Sequence, residues 1–557
     1  MKLTLFQTSS LNKTFLDSPN PPLVLEKLSC LKGEEISYQL VCRVEEYDDL
    51  KLVWKVEVDS PLQDYITVRE IVQVPSELPA YLNLPNGYDD DYLTVKPGLF
   101  PDPLYPLVNN TVELIPNYYR ALWVTVQVPK TFDAGHYPIS VTLTEVESGL
   151  AETTKFELEV IDAVLPEQEL IVTQWFHSDC IASYYKIKPL SSKHWQWLDK
   201  FIKTAADNGI NMLLTPIFTP PLDTEIGRER PTVQLVDISC ENGQYSFGFS
   251  KLKRWIRLCK KHGIKYFEMA HLFTQWGAKC TPKIMVTENG AQVKKFGWHV
   301  AADSEEYVAF LQQFLPALTA FLKAEGIAEN TVFHISDEPH TPHREQYRKV
   351  RNIVKPLIEG FQVLDASSDY SFYAEGLIDT PAVSINHITP HLENQAKPLW
   401  AYYCCAQFSK VSNRFFAMPS YRNRIIGLQL YKYQIDGFLQ WGYNFYYSQL
   451  SRSVIDPFAT TDAKNAFPSG DAFSVYPGEN DVIESLRLKV FKEALQDMRA
   501  LRLLENYMSH DEIVRMIEQY TNCELRFDSY PKGEALLLGL REKINALIKV
   551  NLTTIGA

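Results

Sequence analysis

No apolar run in this chain is long enough to cross a bilayer. The first ten residues, Met1-Lys2-Leu3-Thr4-Leu5-Phe6-Gln7-Thr8-Ser9-Ser10, lack the apolar core of a signal peptide. Basic residues are in the minority, 55 Lys and Arg against 68 Asp and Glu, for a net charge of −13. That balance argues against a nucleic-acid partner, which wants a basic face. Cysteine is sparse, 9 in 557 residues, an odd number with no framework spacing. Cys404 and Cys405 are neighbours and badly placed to bond each other. Reduced thiols in a cytoplasmic chain are the simplest reading, and the sequon at Asn109 then carries no meaning. Internal repeats, low-complexity tracts and a Gly-rich phosphate loop are also missing.

What is present is a large globular composition: 45% hydrophobic, 22% charged and 12% aromatic, with Tyr 30 and Trp 10. Such a length calls for two or three domains. Residues 1–162 read as a β-sandwich, from short alternating runs at 35–43, 52–58, 66–72, 121–128, 137–143 and 155–160 with turn-rich segments between them. From 163 to 479 strand-like runs alternate with helical ones. Strands are expected at 170–175, 211–215, 265–269, 331–336, 362–365, 382–385, 399–403 and 437–441, and helices at 195–208, 252–262 and 304–325, each followed by glycine. Eight strands over about 280 residues fit a (β/α)8 barrel; a doubly wound sheet is the competitor. Residues 480–557 read as a helical closing element, with helices at 481–504 and 534–550 and a short strand at 523–527.

If the barrel forms, the residues just past each strand converge on one mouth. His177 and Asp179 follow the first strand, His271 and Trp276 the third, Asn386 and His387 the sixth. Trp400 and Tyr402 lie on the seventh, and Trp441, Tyr443 and Asn444 follow the eighth. Aromatic rings with hydrogen-bonding groups are what a sugar site requires, so these residues are substrate-binding candidates.

The fourth strand ends in Ile335-Ser336-Asp337-Glu338-Pro339. Proline stops the ladder and leaves two carboxylates at the lip. Neighbouring residues in a strand face opposite ways, so both acids serve one site only if the backbone turns there. Conventional glycosidase carboxylates flank the bond from separate strands. Adjacent acids suit another scheme, in which Glu338 protonates the leaving oxygen and Asp337 steadies a nucleophile belonging to the substrate, its 2-acetamido group. His334, Asp337, Glu338, His340 and His343 are of metal-ligating type, but their spacing matches no recognised motif. No metal and no cofactor are expected.

The order of sandwich, barrel and closing element resembles glycoside hydrolase family 123, and a wider set of bacterial proteins known only by a domain of unknown function. The matching motifs are Trp175-Phe176-His177-Ser178-Asp179-Cys180, Ile335-Ser336-Asp337-Glu338-Pro339, Gln440-Trp441-Gly442-Tyr443-Asn444 and Gly470-Asp471-Ala472-Phe473-Ser474-Val475-Tyr476-Pro477-Gly478. The resemblance implies an exo-acting β-N-acetylgalactosaminidase, with Glu338 as acid/base and Asp337 as stabiliser of an oxazolinium intermediate. Its partner would be an oligosaccharide or glycoconjugate, with no nucleic acid and no membrane span. Two alternatives stand beside it: a two-carboxylate glycosidase on another sugar, with Asp179 as second acid, and a carbohydrate-binding barrel without catalysis.

Overall fold

The computed structural model describes residues 2–18, 22–45 and 51–555; Met1 and 556–557, the outer bounds of the first and last expected units, lie outside them. Two five-stranded sheets form the N-terminal sandwich. One runs in the order Lys2–Ser9, Glu35–Glu45, Arg120–Gln127, Ile66–Ser76, Gly98–Pro106, antiparallel throughout. The other runs Lys27–Lys32, Ala151–Val164, Gly135–Glu145, Leu52–Asp59, Thr111–Leu114. Alternation puts Leu52, Trp54 and Val56 into the core between the sheets, opposite Leu122, Val124 and Val126. The intervening Ala121 and Trp123 are buried as well, in a cluster shared with the barrel. The first sheet is therefore covered on both faces. Its Gly98–Pro106 strand carries Pro101, Pro103 and Pro106 and was not expected; an edge position tolerates them.

The central region is a closed barrel of eight parallel strands: β1 (Ile171–Gln174), β2 (Met212–Thr215), β3 (Tyr266–Met269), β4 (Thr331–Phe333), β5 (Gln362–Ala366), β6 (Thr380–Ser384), β7 (Trp400–Tyr402) and β8 (Gly437–Gln440). β8 pairs with β1 to close it. Each expected barrel strand is present. Met212, Leu214, Leu364, Ala382 and Leu439 point inward, while Leu213, Val363 and Val383 pack against the outer helices. Those helices include Ser192–Asp207, Glu305–Ala324 and Arg344–Val354. Ser191 and Ser304 cap the first two by accepting from His194 N and Tyr307 N.

Three details depart from the sequence expectation. A four-stranded sheet (Gln244–Gly248, Asp237–Glu241, Ile284–Glu288, Ala291–Phe296) grows from the loops after β2 and β3. The C-terminal helix starts at Leu486 rather than 481, because Val482–Glu484 pairs with Val475–Pro477 and Ser485 caps the helix by accepting from Leu488 N. Residues 523–527 are irregular, not a strand: Asn522 ends helix His510–Thr521 in the left-handed region, and Arg526 N turns back to Ser529 O. Helix Glu534–Ile555 closes the chain.

Candidate active site

β4 ends early for an electrostatic reason. The N–H groups of Ile335 and Ser336 donate to the Asp365 carboxylate of β5 at 3.0–3.2 Å. His334 points into the barrel between two acids, Nε2 to Glu268 at 2.9 Å and Nδ1 to Asp365 at 3.2 Å. Burial opposes its charge, but these hydrogen bonds outweigh burial and hold its pKa up to about 9. His334 is thus an imidazolium. Glu268 also accepts from Trp175 Nε1 and Thr173 Oγ1, and Asp365 from Tyr347 OH at 2.6 Å. The result is a satisfied polar floor beneath the mouth.

The backbone at Glu338 adopts φ 44°, in the left-handed region. This turn brings Asp337 and Glu338 into the lining of one cavity of about 130 Å³. Trp175, Trp276 and Trp441 supply ring faces, and Leu222, Leu439 and Phe467 supply apolar wall. Tyr402 OH donates to Glu338 Oε1 at 2.9 Å, and Trp276 N–H donates to Asp337 O at 3.0 Å. Burial, then the charge of Glu338, push Asp337 well above the ordinary carboxylate range. A third carboxyl, Asp223, lines the same cavity; burial raises it to about 6, and Leu450 N–H donates to its Oδ2 at 2.9 Å.

Of the sequence candidates, Asp337, Glu338, Trp276, Tyr402 and Trp441 meet in this cavity. The others stand elsewhere. Asp179 is buried in a two-point ion pair with Arg230, 2.7 and 2.8 Å, which removes it as a free second acid. His177 accepts from Arg230 Nη2 at Nδ1 and donates from Nε2 to Trp441 O, and burial followed by the Arg230 charge holds its pKa down to about 3. It braces the β1 and β8 loops as a neutral ring. Asn444 clasps the backbone of His177 through N–H and carbonyl, 2.8 and 3.2 Å. Tyr443 is wholly buried and donates to Phe201 O at 3.0 Å. Trp400 packs inside the barrel against Gly437, where an added Cβ would lie 2.1 Å from its ring. His271 stacks on His334 at 4.3 Å and 13°. Asn386 is tied to Gln407 Nε2 at 2.8 Å and His387 to Ser384 Oγ at 3.0 Å, both at an exposed turn. None of these eight lines the cavity.

His271, His334 and Asp365 bring ligand-type atoms within 4.8 Å of one another. They do not make a metal cradle, because His334 uses both nitrogens on carboxylates and the near-parallel rings cannot aim in-plane lone pairs at one point. Sequence reasoning missed Asp223, Cys404, Cys405 and Phe467 in the lining. It also missed Asp471, which accepts from Trp441 Nε1 at 2.9 Å and is raised to about 7 by burial. The one signal for Asp471 was its place in the Gly470–Gly478 motif.

An eight-stranded barrel that delivers adjacent acids and aromatic faces into one mouth defines a barrel glycoside hydrolase. The family profile for the glycoside hydrolase 123 catalytic domain matches residues 175–504. The chain belongs to glycoside hydrolase family 123. It is similar to a solved structure of a family 123 glycoside hydrolase from Clostridium perfringens, described for glycolipid glycan hydrolysis: TM-score 0.72, 16% identity, covering 100% of this chain and 98% of that one. Weaker likenesses join it to a β-glucuronidase from Bacteroides uniformis (TM-score 0.30, 10% identity, 85% and 48% covered) and an endo-β-1,4-mannanase from Thermotoga petrophila (0.34, 13%, 60% and 77%). These two carry no argument. No curated protein matches. Among the described residues, no helix is long and apolar enough to cross a membrane.

Proposed function

We propose that this enzyme removes a terminal β-linked N-acetylhexosamine, N-acetylgalactosamine by preference, with retention and with the substrate's acetamido group as nucleophile. The observation that carries this reading is the left-handed turn at Glu338, which lets two consecutive acids face one cavity. Glu338 gives its proton to the glycosidic oxygen as that bond breaks. The acetamido oxygen attacks the anomeric carbon and forms an oxazolinium. Asp337 accepts a hydrogen bond from the acetamido N–H. That donor favours the charged form of Asp337 and so opposes the upward push of burial on its carboxyl. Glu338 then takes a proton from the water that opens the ring, restoring the sugar's configuration.

Glu338→Gln should lower kcat on an aryl β-N-acetylgalactosaminide by about 10²–10⁴-fold, and Asp337→Asn should cripple it comparably. A thiazoline mimic of the oxazoline should inhibit competitively. Undiminished turnover by the Glu338 variant would sink the assignment. One observation favours a second reading, a two-carboxylate glycosidase: Asp223 shares the cavity with the pair. Efficient cleavage of a plain β-galactoside, lost in Asp223→Asn, would select it.

A further inference from the structure

A second cavity, of about 310 Å³, opens beside the catalytic one. The two are neighbours along the same loops: Asp223 lines the first and Thr224 the second, Trp276 the first and Thr274 the second. The wall between them is fixed, since Gln275 Nε2 donates to Thr224 O at 3.0 Å. The second cavity has a ring face from Trp298, whose Nε1 donates to Arg228 O at 3.1 Å.

Its charge runs against the rest of the molecule. The chain carries −13, yet the cations Arg228, Lys283 and Lys294 line this cavity against a single lining carboxylate, Glu229. Lys283 (2.8 Å) and Lys294 both pair with Glu229, and Arg228 (2.5 Å) and Arg452 (2.9 Å) both pair with Glu225. Glu229 is pulled down to about 2 by its two lysines, so it stays ionised and still leaves positive charge in excess. A separate observation points to a ligand. Thr219 lines this cavity at 3% exposure, and its hydroxyl has no hydrogen-bond partner. A buried hydroxyl left unpaired costs stability, and native structures rarely keep one without use.

We propose that this cavity is an accessory subsite for a negatively charged sugar residue, carboxylated or sulfated, of the glycan whose end enters the catalytic cavity. The lysines would face the anion, Trp298 the sugar's C–H face, and Thr219 a hydroxyl. An aryl glycoside does not reach this far, so its turnover is independent of the subsite.

Saturation-transfer NMR on the full chain tests this with three probes: the methyl α-glycoside of N-acetylneuraminic acid, galactose 6-sulfate and neutral methyl β-galactoside. At least one anionic probe should bind about tenfold more tightly than the neutral one, and the stronger of the two identifies the source of the charge. Added salt should weaken that binding. Lys283→Ala with Lys294→Ala should lose about tenfold in affinity while aryl-glycoside turnover and melting temperature hold. If the double variant folds poorly, Lys294→Gln on the exposed strand serves alone. Thr219→Val should weaken the probe while leaving the fold as stable or more so. Equal binding of all three probes, or unchanged affinity in the folded lysine variants, overturns the proposal. Binding is read without turnover, so failure of the hexosaminidase reading would leave this test standing.

Discussion

Tyr402 crosses from β7 to donate to Glu338 Oε1, and that contact sets where the acid points. In Tyr402→Phe the carboxyl loses its anchor but keeps its chemistry. We expect kcat to fall about tenfold with KM little changed, because positioning matters most in the transition state. A matching rise in KM instead would make Tyr402 a binding group. Trp276 offers a reporter at the same scale. It is 41% exposed, and every other tryptophan is buried or half-buried. A sugar entering the mouth should shift the emission of this ring most, and Trp276→Phe should remove the larger part of the change, leaving what Trp175 and Trp441 contribute.

At the scale of the element, the junction of β4 and β5 depends on a buried cation. His334 has a folded pKa of about 9 against an ordinary 6.5. Its folded value is the higher one, so its stabilising contribution is complete below about 6.5 and is lost as pH rises through about 9. Thermal melts of the native enzyme and His334→Gln should therefore differ most at pH 6 and converge above pH 9. A constant gap would mean that His334 acts through packing alone. The eight barrel strands were legible because each is a short apolar run between turn signals. Asp337 and Glu338 were legible because Pro339 ends the strand beside them. The sheet built from Asp237–Glu241 and Ala291–Phe296 was not, since runs such as Ala-Gln-Val-Lys-Lys-Phe mix polar and apolar residues without a clean period. Asp223 was hidden because its place depends on the path of a long loop and its own φ of 37°. Trp400 and Tyr443 misled for the opposite reason: a tryptophan or tyrosine near a strand end fills a core as readily as it faces a mouth.

At the scale of the molecule, buried ion pairs tie the sandwich, the barrel and the C-terminal helices together. Arg487 of the C-terminal helix grips Asp102 of the sandwich edge strand at 2.8 and 2.9 Å. Arg424 binds Glu493 and Asp497, and Arg541 joins Asp497 to Glu34. Removing one partner strands a buried charge, so Arg487→Met should destabilise by about 3–5 kcal/mol. Calorimetry should show one unfolding transition for the whole chain, and a fragment of residues 175–504 should fail to fold stably. Two well-separated transitions would show that the units stand alone. The strands meet over long spans too: Ile171 pairs with Gly437 across the barrel seam, and Arg541 reaches Glu34 over 507 positions. Contacts of that sequence separation are slow to form. A chain emerging from the ribosome therefore holds the barrel-facing side of its first sheet bare until the Val482–Glu484 strand and the Leu486–Leu504 helix that pack on its edge strand are made. Synthesis rate and chaperone supply should govern the yield of active enzyme more than its final stability does.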